Sequence, residues 1–135
     1  MPEVLDWRLI HRWHTRACAS FMRPVLIIQH DRTQRPGQLL QHLTQAGIDT
    51  RIVMPDHGDT VPWNANDYSG IVLLGSNRSV NESLAWIAAE RALVQRALEA
   101  NVPMLGHCFG GQMLARAMGA RVERSGFANI GWSRL

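Results

Sequence analysis

The sequence predicts an α/β fold, a doubly wound and mostly parallel sheet with helices on both faces. Four short runs, 25–29, 48–54, 71–74 and 103–106, read as strands, and the first is nearly all-apolar, as in a strand buried on both faces. Between the first and second runs, and again between the third and fourth, apolar residues recur at helical spacing. Strands alternating with helices favour parallel pairing through right-handed crossovers, with functional loops at the carboxyl ends of the strands.

The first strand covers 25–29. Past the breaker Pro36-Gly37, residues Leu39, Leu40 and Leu43 mark a helix that Gly47 stops. The second strand, 48–54, is followed by a polar loop through Pro55, Asp56, His57, Gly58, Asp59 and Pro62 that leads to the third, 71–74. Asn81 is the expected N-cap of a helix over 82–100. Its core stripe is Ile87, Val94 and Leu98, flanked by Trp86, Leu93 and Ala97. The fourth strand, 103–106, runs into a tight turn at Cys108 and a helix through Leu114 and Met118 that ends at Gly119. Ahead of all this, residues 1–21 show no settled apolar period and read as a poorly ordered N-terminal extension to a domain over 22–135. Met22 stands directly before the first strand, which marks it as the expected start of the folded chain.

A chain of 135 residues suits one domain, since a second would have too little core of its own. With 46% apolar and 19% charged residues, and no apolar run long enough to span a bilayer, a soluble cytoplasmic protein without a membrane partner is expected. All 14 basic residues are arginine and give a net charge of +3, but they are spread singly from Arg8 to Arg134, so no nucleic-acid partner is expected either. Cys18 and Cys108 are far apart and form no C-x-x-C pair, so neither a metal nor a redox cofactor is implied.

The chemistry concentrates in Gly106-His107-Cys108-Phe109-Gly110-Gly111-Gln112, a cysteine version of the G-x-S-x-G elbow between a predicted strand and a predicted helix. A nucleophile at such a turn sits in strained backbone while the residues two before and two after it crowd together, which explains glycine at 106 and 110. The helix that follows aims its N-terminal amides at the sulfur and favours the thiolate, the attacking form. The amide of Phe109 is then available to an oxyanion. Met104, Met113 and Met118 read as core filler.

From about Met22 to Leu135 the chain resembles the class I glutamine amidotransferases, and among them proteins similar to the glutaminase domain of GMP synthase. The residues that carry the resemblance are Ile71-Val72-Leu73-Leu74-Gly75, Ser79-Val80-Asn81, the run from Val102 through Gln112, and Ile130-Gly131-Trp132. The resemblance implies the family's flavodoxin-like fold, here incomplete, and hydrolysis of the glutamine side-chain amide through a Cys108 thioester, with ammonia passed to an acceptor. It also implies roles for particular residues. Cys108 would be the nucleophile, the amides of Gly75 and Phe109 would face the oxyanion, and Gln112 would lie beside bound glutamine. Glutamine is the implied substrate, a synthetase or acceptor substrate the implied partner, and no cofactor or metal enters the step.

Three departures bear on this expectation. The family takes its general base and orienting acid from a later H-x-E segment, whereas all six histidines here precede Cys108 and only Glu123 follows it among the acids. The family's Gly-Gly-Pro oxyanion loop reads Gly75-Ser76-Asn77, and Asn129 stands where glutamate usually precedes Ile130-Gly131-Trp132. His107 should point away from the nucleophile by strand alternation. His30 and His57 follow strands at the catalytic edge and are the substitutes to consider, with packing or loop roles as the ordinary expectation. Two alternatives accompany the main reading: a γ-glutamyl peptidase with the same elbow, and a non-catalytic, partner-binding relative. An incomplete domain should also leave apolar sheet surface uncovered, which makes a second chain or a homodimer an expected association.

Overall fold

The computed structural model describes residues 22–126. The N-terminal extension, Cys18, Asn129 and Ile130-Gly131-Trp132 lie outside the described residues. Within them four strands form one parallel sheet: β1 (Val25–Ile28), β2 (Thr50–Val53), β3 (Gly70–Leu73) and β4 (Met104–Gly106), in the spatial order β2-β1-β3-β4. Helix α1 (Gln38–Gln45) connects β1 to β2 and helix α2 (Ala85–Glu99) connects β3 to β4. Helix α3 (Phe109–Ala117) follows β4 after two residues. The polar loop from β2 to β3 contains two short 3-10 turns, Pro55–His57 and Ala65–Asp67. All four expected strands are present with their ends moved by one or two residues, β2 starting two residues later than expected and β3 one earlier.

Strand alternation divides the core into two layers. Leu26, Ile28, Ile71 and Leu73 point toward α2 and α3 and pack with Ile87, Leu93, Val94, Ala97, Phe109 and Met113. On the opposite face Ile27, Val72 and Leu74 pack with Leu39, Leu40 and Leu43 of α1. The register places Ile52, Ile27, Val72 and Leu105 in one row across this second face. Both ends of the row, Ile52 on β2 and Leu105 on the edge strand β4, are exposed.

Two expectations about α2 are corrected. Asn81 does not cap it: the helix starts at Ala85 behind an extended Leu84, and no side chain caps it. Ser79 to Glu82 forms a closed turn of its own, in which Glu82 N–H donates to Ser79 O and Glu82 Oε1 accepts from Ser79 N–H. The Asn81 side chain is engaged elsewhere, donating to Val122 O and accepting from Arg116. Leu98 is the second correction, because it is exposed while Glu90 takes a fully buried place on the apolar stripe between Ile87 and Val94.

Candidate functional site

The order β2-β1-β3-β4 reverses direction between β1 and β3, so the carboxyl ends of these two strands border the crevice where ligands of such sheets collect. Four segments arrive at this edge: Gln29-His30 after β1, Met54 after β2, Leu74-Gly75 after β3, and His107-Cys108 after β4. Cys108 is exposed there, with φ 54° and ψ −113°. A non-glycine residue in that region of backbone space costs on the order of 1–3 kcal/mol and persists only where its surroundings enforce it.

The enforcement comes from close approach on two sides. A Cβ on Gly106 would stand 2.6 Å from Gly110 O and 2.7 Å from Gly111 N, which is the crowding expected across the elbow. At Gly110 the obstacle is a different one, because a Cβ there would stand 2.6 Å from the carbonyl carbon and Cβ of Leu73 in β3. Glycine at 110 therefore lets α3 seat on the neighbouring strand. Hydrogen bonds fix the arrangement: His107 N–H donates to Leu73 O at 2.9 Å, and Gly110 N–H donates to Leu74 O at 3.2 Å and His107 O at 3.0 Å.

Gly75 lies against the nucleophile, since a Cβ on it would be 3.7 Å from Cys108 Cβ. Its N–H has no acceptor among the described residues. Phe109, the first residue of α3, likewise has an N–H with no intrahelical partner, as any helix start must. Gln112 sits in the first turn of α3, exposed, and its own N–H donates to Cys108 O. The structure thus brings Cys108, Gly75, Phe109 and Gln112 to one place.

The loop that departs from Gly-Gly-Pro is held by its neighbours. Asn77 donates to Asp31 Oδ2 at 3.0 Å, and Asp31 also accepts from the hydroxyl and N–H of Thr33. These bonds, the Thr33 hydroxyl first, hold the exposed Asp31 carboxyl below its usual range. Arg78 extends toward Asp56 and Glu82. Another side chain reaches the loop as well: a Cβ on Gly75 would overlap Gln34 Oε1 and lie 3.1 Å from Gln34 Cδ, so a carboxamide of the chain itself covers the Gly75 position.

No described histidine is hydrogen-bonded to Cys108. His30 is buried, with Nε2 2.8 Å from Glu90 Oε2 and Nδ1 3.2 Å from Gly75 O. Its ring contacts Phe109 at a centroid distance of 4.7 Å and Trp86 at 5.3 Å. His57 is exposed beyond β2, the strand at the opposite sheet edge from β4. His107 is exposed and hydrogen-bonds only through its backbone. Burial raises the Glu90 carboxyl above its usual range, partly offset by the His30 hydrogen bond. Sequence reasoning missed Glu90 and Gln34; a carboxylate on the apolar stripe of α2 was the available signal for the first. Among the described residues no group of three or more His, Cys, Asp or Glu could hold a metal, and no helix is long and apolar enough to cross a membrane.

Comparison with known proteins adds an independent view. Residues 34–134 match the family described as glutamine amidotransferase class-I. A GMP synthase (glutamine-hydrolyzing) of Aromatoleum aromaticum is 36% identical over 67 residues, which is 50% of this chain and 12% of that protein. A putative glutamine amidotransferase-like protein of Acanthamoeba polyphaga mimivirus is 27% identical over 86 residues, 62% of this chain and 42% of the relative. The crystal structure of a glutamine amido transferase from Methylobacillus flagellatus superposes with a TM-score of 0.79 at 38% identity, covering 83% of this chain and 45% of that one. A Thermotoga maritima glutamine amidotransferase gives a TM-score of 0.68 at 26% identity, covering 73% of this chain and 44% of the neighbour. This chain therefore spans under half the length of each of these relatives.

Proposed function

Because the chain belongs to the class I glutamine amidotransferase family, we propose that Cys108 is the nucleophile of a glutaminase reaction, splitting a glutamine side-chain amide through a γ-glutamyl thioester. The observation that carries this reading is the exposed cysteine at φ 54° on a strand-to-helix elbow, beside two unengaged backbone amides. The Cys108 thiolate attacks the amide carbon, and the carbonyl oxygen takes up the electron pair as an oxyanion. The N–H groups of Gly75 and Phe109 stabilise that charge, and Gln112 lines the bound glutamine. Collapse of the intermediate breaks the C–N bond, and the nitrogen leaves as ammonia with a proton returned by the base. Water then cleaves the C–S bond, which gives glutamate and restores the thiol.

We assign the proton acceptor to a residue outside the described ones, because His30 is committed to Glu90 and Gly75 and no described histidine is hydrogen-bonded to Cys108. The ammonia is passed to an acceptor on a synthetase domain or partner. A thiolate catalyst also implies a reducing compartment, which fits the cytoplasm. The test is to incubate the full chain with glutamine, adding imidazole as a diffusible base, and to measure the intact mass after acid quenching. A γ-glutamyl adduct mapping to Cys108, and absent from Cys108→Ala, is the expected result. Absence of any adduct from a protein whose Cys108 still reacts with iodoacetamide would overturn the proposal.

A further inference from the structure

We propose that His30, held in place by Glu90, is a positioning residue that aims both oxyanion donors of the Cys108 site; the inference rests on the glutaminase reading above. Among the described residues, His30 touches both partners directly. Its Nδ1 lies 3.2 Å from Gly75 O, and its ring packs on Phe109 with centroids 4.7 Å apart. Gly75 joins two peptide planes, and each is held at its carbonyl. The Leu74 carbonyl accepts from Gly110 N–H, while the Gly75 carbonyl accepts from His30. A peptide is planar, so fixing the carbonyl on either side of Gly75 leaves its N–H little rotational freedom.

The donor pattern explains the role of Glu90. A carbonyl only accepts, so His30 Nδ1 carries the proton in that bond; in the neutral ring Nε2 is then an acceptor, which a protonated Glu90 at 2.8 Å satisfies, the form of this carboxyl that burial favours. In this arrangement Glu90 Oε1 is a carbonyl oxygen, and it is the buried side-chain atom without a partner among the described residues. A neutral oxygen left unpaired there is far less costly than an unpaired half of a carboxylate. Glu90 belongs to α2, packed in the core, so the pair transmits the rigidity of that helix to a surface loop. Such a connection suits a loop without the usual proline, since Ser76 and Asn77 do not lock their own backbone.

The experiment compares two reagents on the full-length chain. Iodoacetamide needs only an accessible thiolate. The chloromethyl ketone analogue of glutamine needs the thiolate and also a site that receives its ketone oxygen in place of the amide oxygen; the sulfur displaces chloride and a thioether forms. The ratio of the two rates therefore reports donor alignment, independent of how much thiolate is present. His30→Phe keeps the ring packing and loses the bond to Gly75, so the ratio should fall by about tenfold to a hundredfold, the effect of misplacing a donor by roughly an ångström. Glu90→Gln, which still donates to Nε2, should keep the wild-type ratio, whereas Glu90→Met should lower it. Should His30→Phe fail to fold by circular dichroism, the Glu90→Gln and Glu90→Met pair decides. Equal ratios in wild type and the folded His30→Phe or Glu90→Met variant would overturn the positioning role alone. A wild-type protein that takes iodoacetamide but shows no glutamine-competable reaction with the chloromethyl ketone would instead overturn the glutaminase reading and the inference with it.

Discussion

Gly110 and Gly111 are adjacent in the sequence, yet the structure assigns opposite outcomes to alanine at the two positions. At Gly110 a Cβ would collide with the backbone of Leu73, a fully buried residue whose strand is hydrogen-bonded on both sides by β1 and β4. Neither the strand nor α3 can retreat without breaking those bonds. Over-packing costs about 1–3 kcal/mol, and a backbone obstacle places this case near the upper end, at about 3 kcal/mol. At Gly111 the nearest atom to a new Cβ is Gly106 O at 3.6 Å, an ordinary contact. Alanine there restricts the unfolded chain and should stabilise by about 0.4–1 kcal/mol. The two variants should thus differ by about 3.5–4 kcal/mol. With an m-value near 2 kcal/mol per molar urea, their unfolding midpoints should be separated by almost 2 M. Urea titrations followed by far-UV circular dichroism measure this directly. Midpoints within about 0.3 M of each other would show that α3 does not need to approach β3 so closely, and the account of the elbow would be wrong.

Two further outcomes are expected. Gln34→Ala removes the carboxamide that covers Gly75, so labelling of Cys108 by the glutamine chloromethyl ketone should accelerate by about fivefold, equivalent to the roughly 1 kcal/mol involved in displacing one ordered side chain; an unchanged rate would show that Gln34 does not compete for the site. For Glu90, burial raises the carboxyl pKa above its ordinary value of 4.5. Below that value folded and unfolded chains both hold the proton, and above it the unfolded chain releases its proton first. Stability contributed by this group is therefore present at low pH and is lost as pH rises toward the raised folded value. Melting temperatures of wild type minus Glu90→Gln, measured from pH 4 upward, should decline across that window, and a difference that stays flat or rises would contradict the buried acid.

The sheet was legible because parallel strands covered on both faces must be apolar throughout, and 25–28 and 71–74 declare this in four residues each. The elbow was legible for a different reason: its constraints are local, so Gly106, Cys108 and Gly110 carry them within five positions. The N-cap of α2 was misread because Asn81 has competing uses, and its contacts with Arg116 and Val122 lie 35 and 41 residues away. The link between His30 and Glu90 spans 60 residues and no spacing rule describes it. Even so, its two halves left separate marks. Glu90 falls three residues after Ile87 and four before Val94, on the face that has to be apolar. His30 continues the alternation of Leu26 and Ile28, so it shares their face of the sheet, the one that α2 covers. A carboxyl group buried without a partner costs several kcal/mol, and a histidine emerging from the same apolar face is a group able to satisfy it. Taken together the two marks amount to a pairing argument, and the pairing fixes the end of β1 against the loop that faces Cys108.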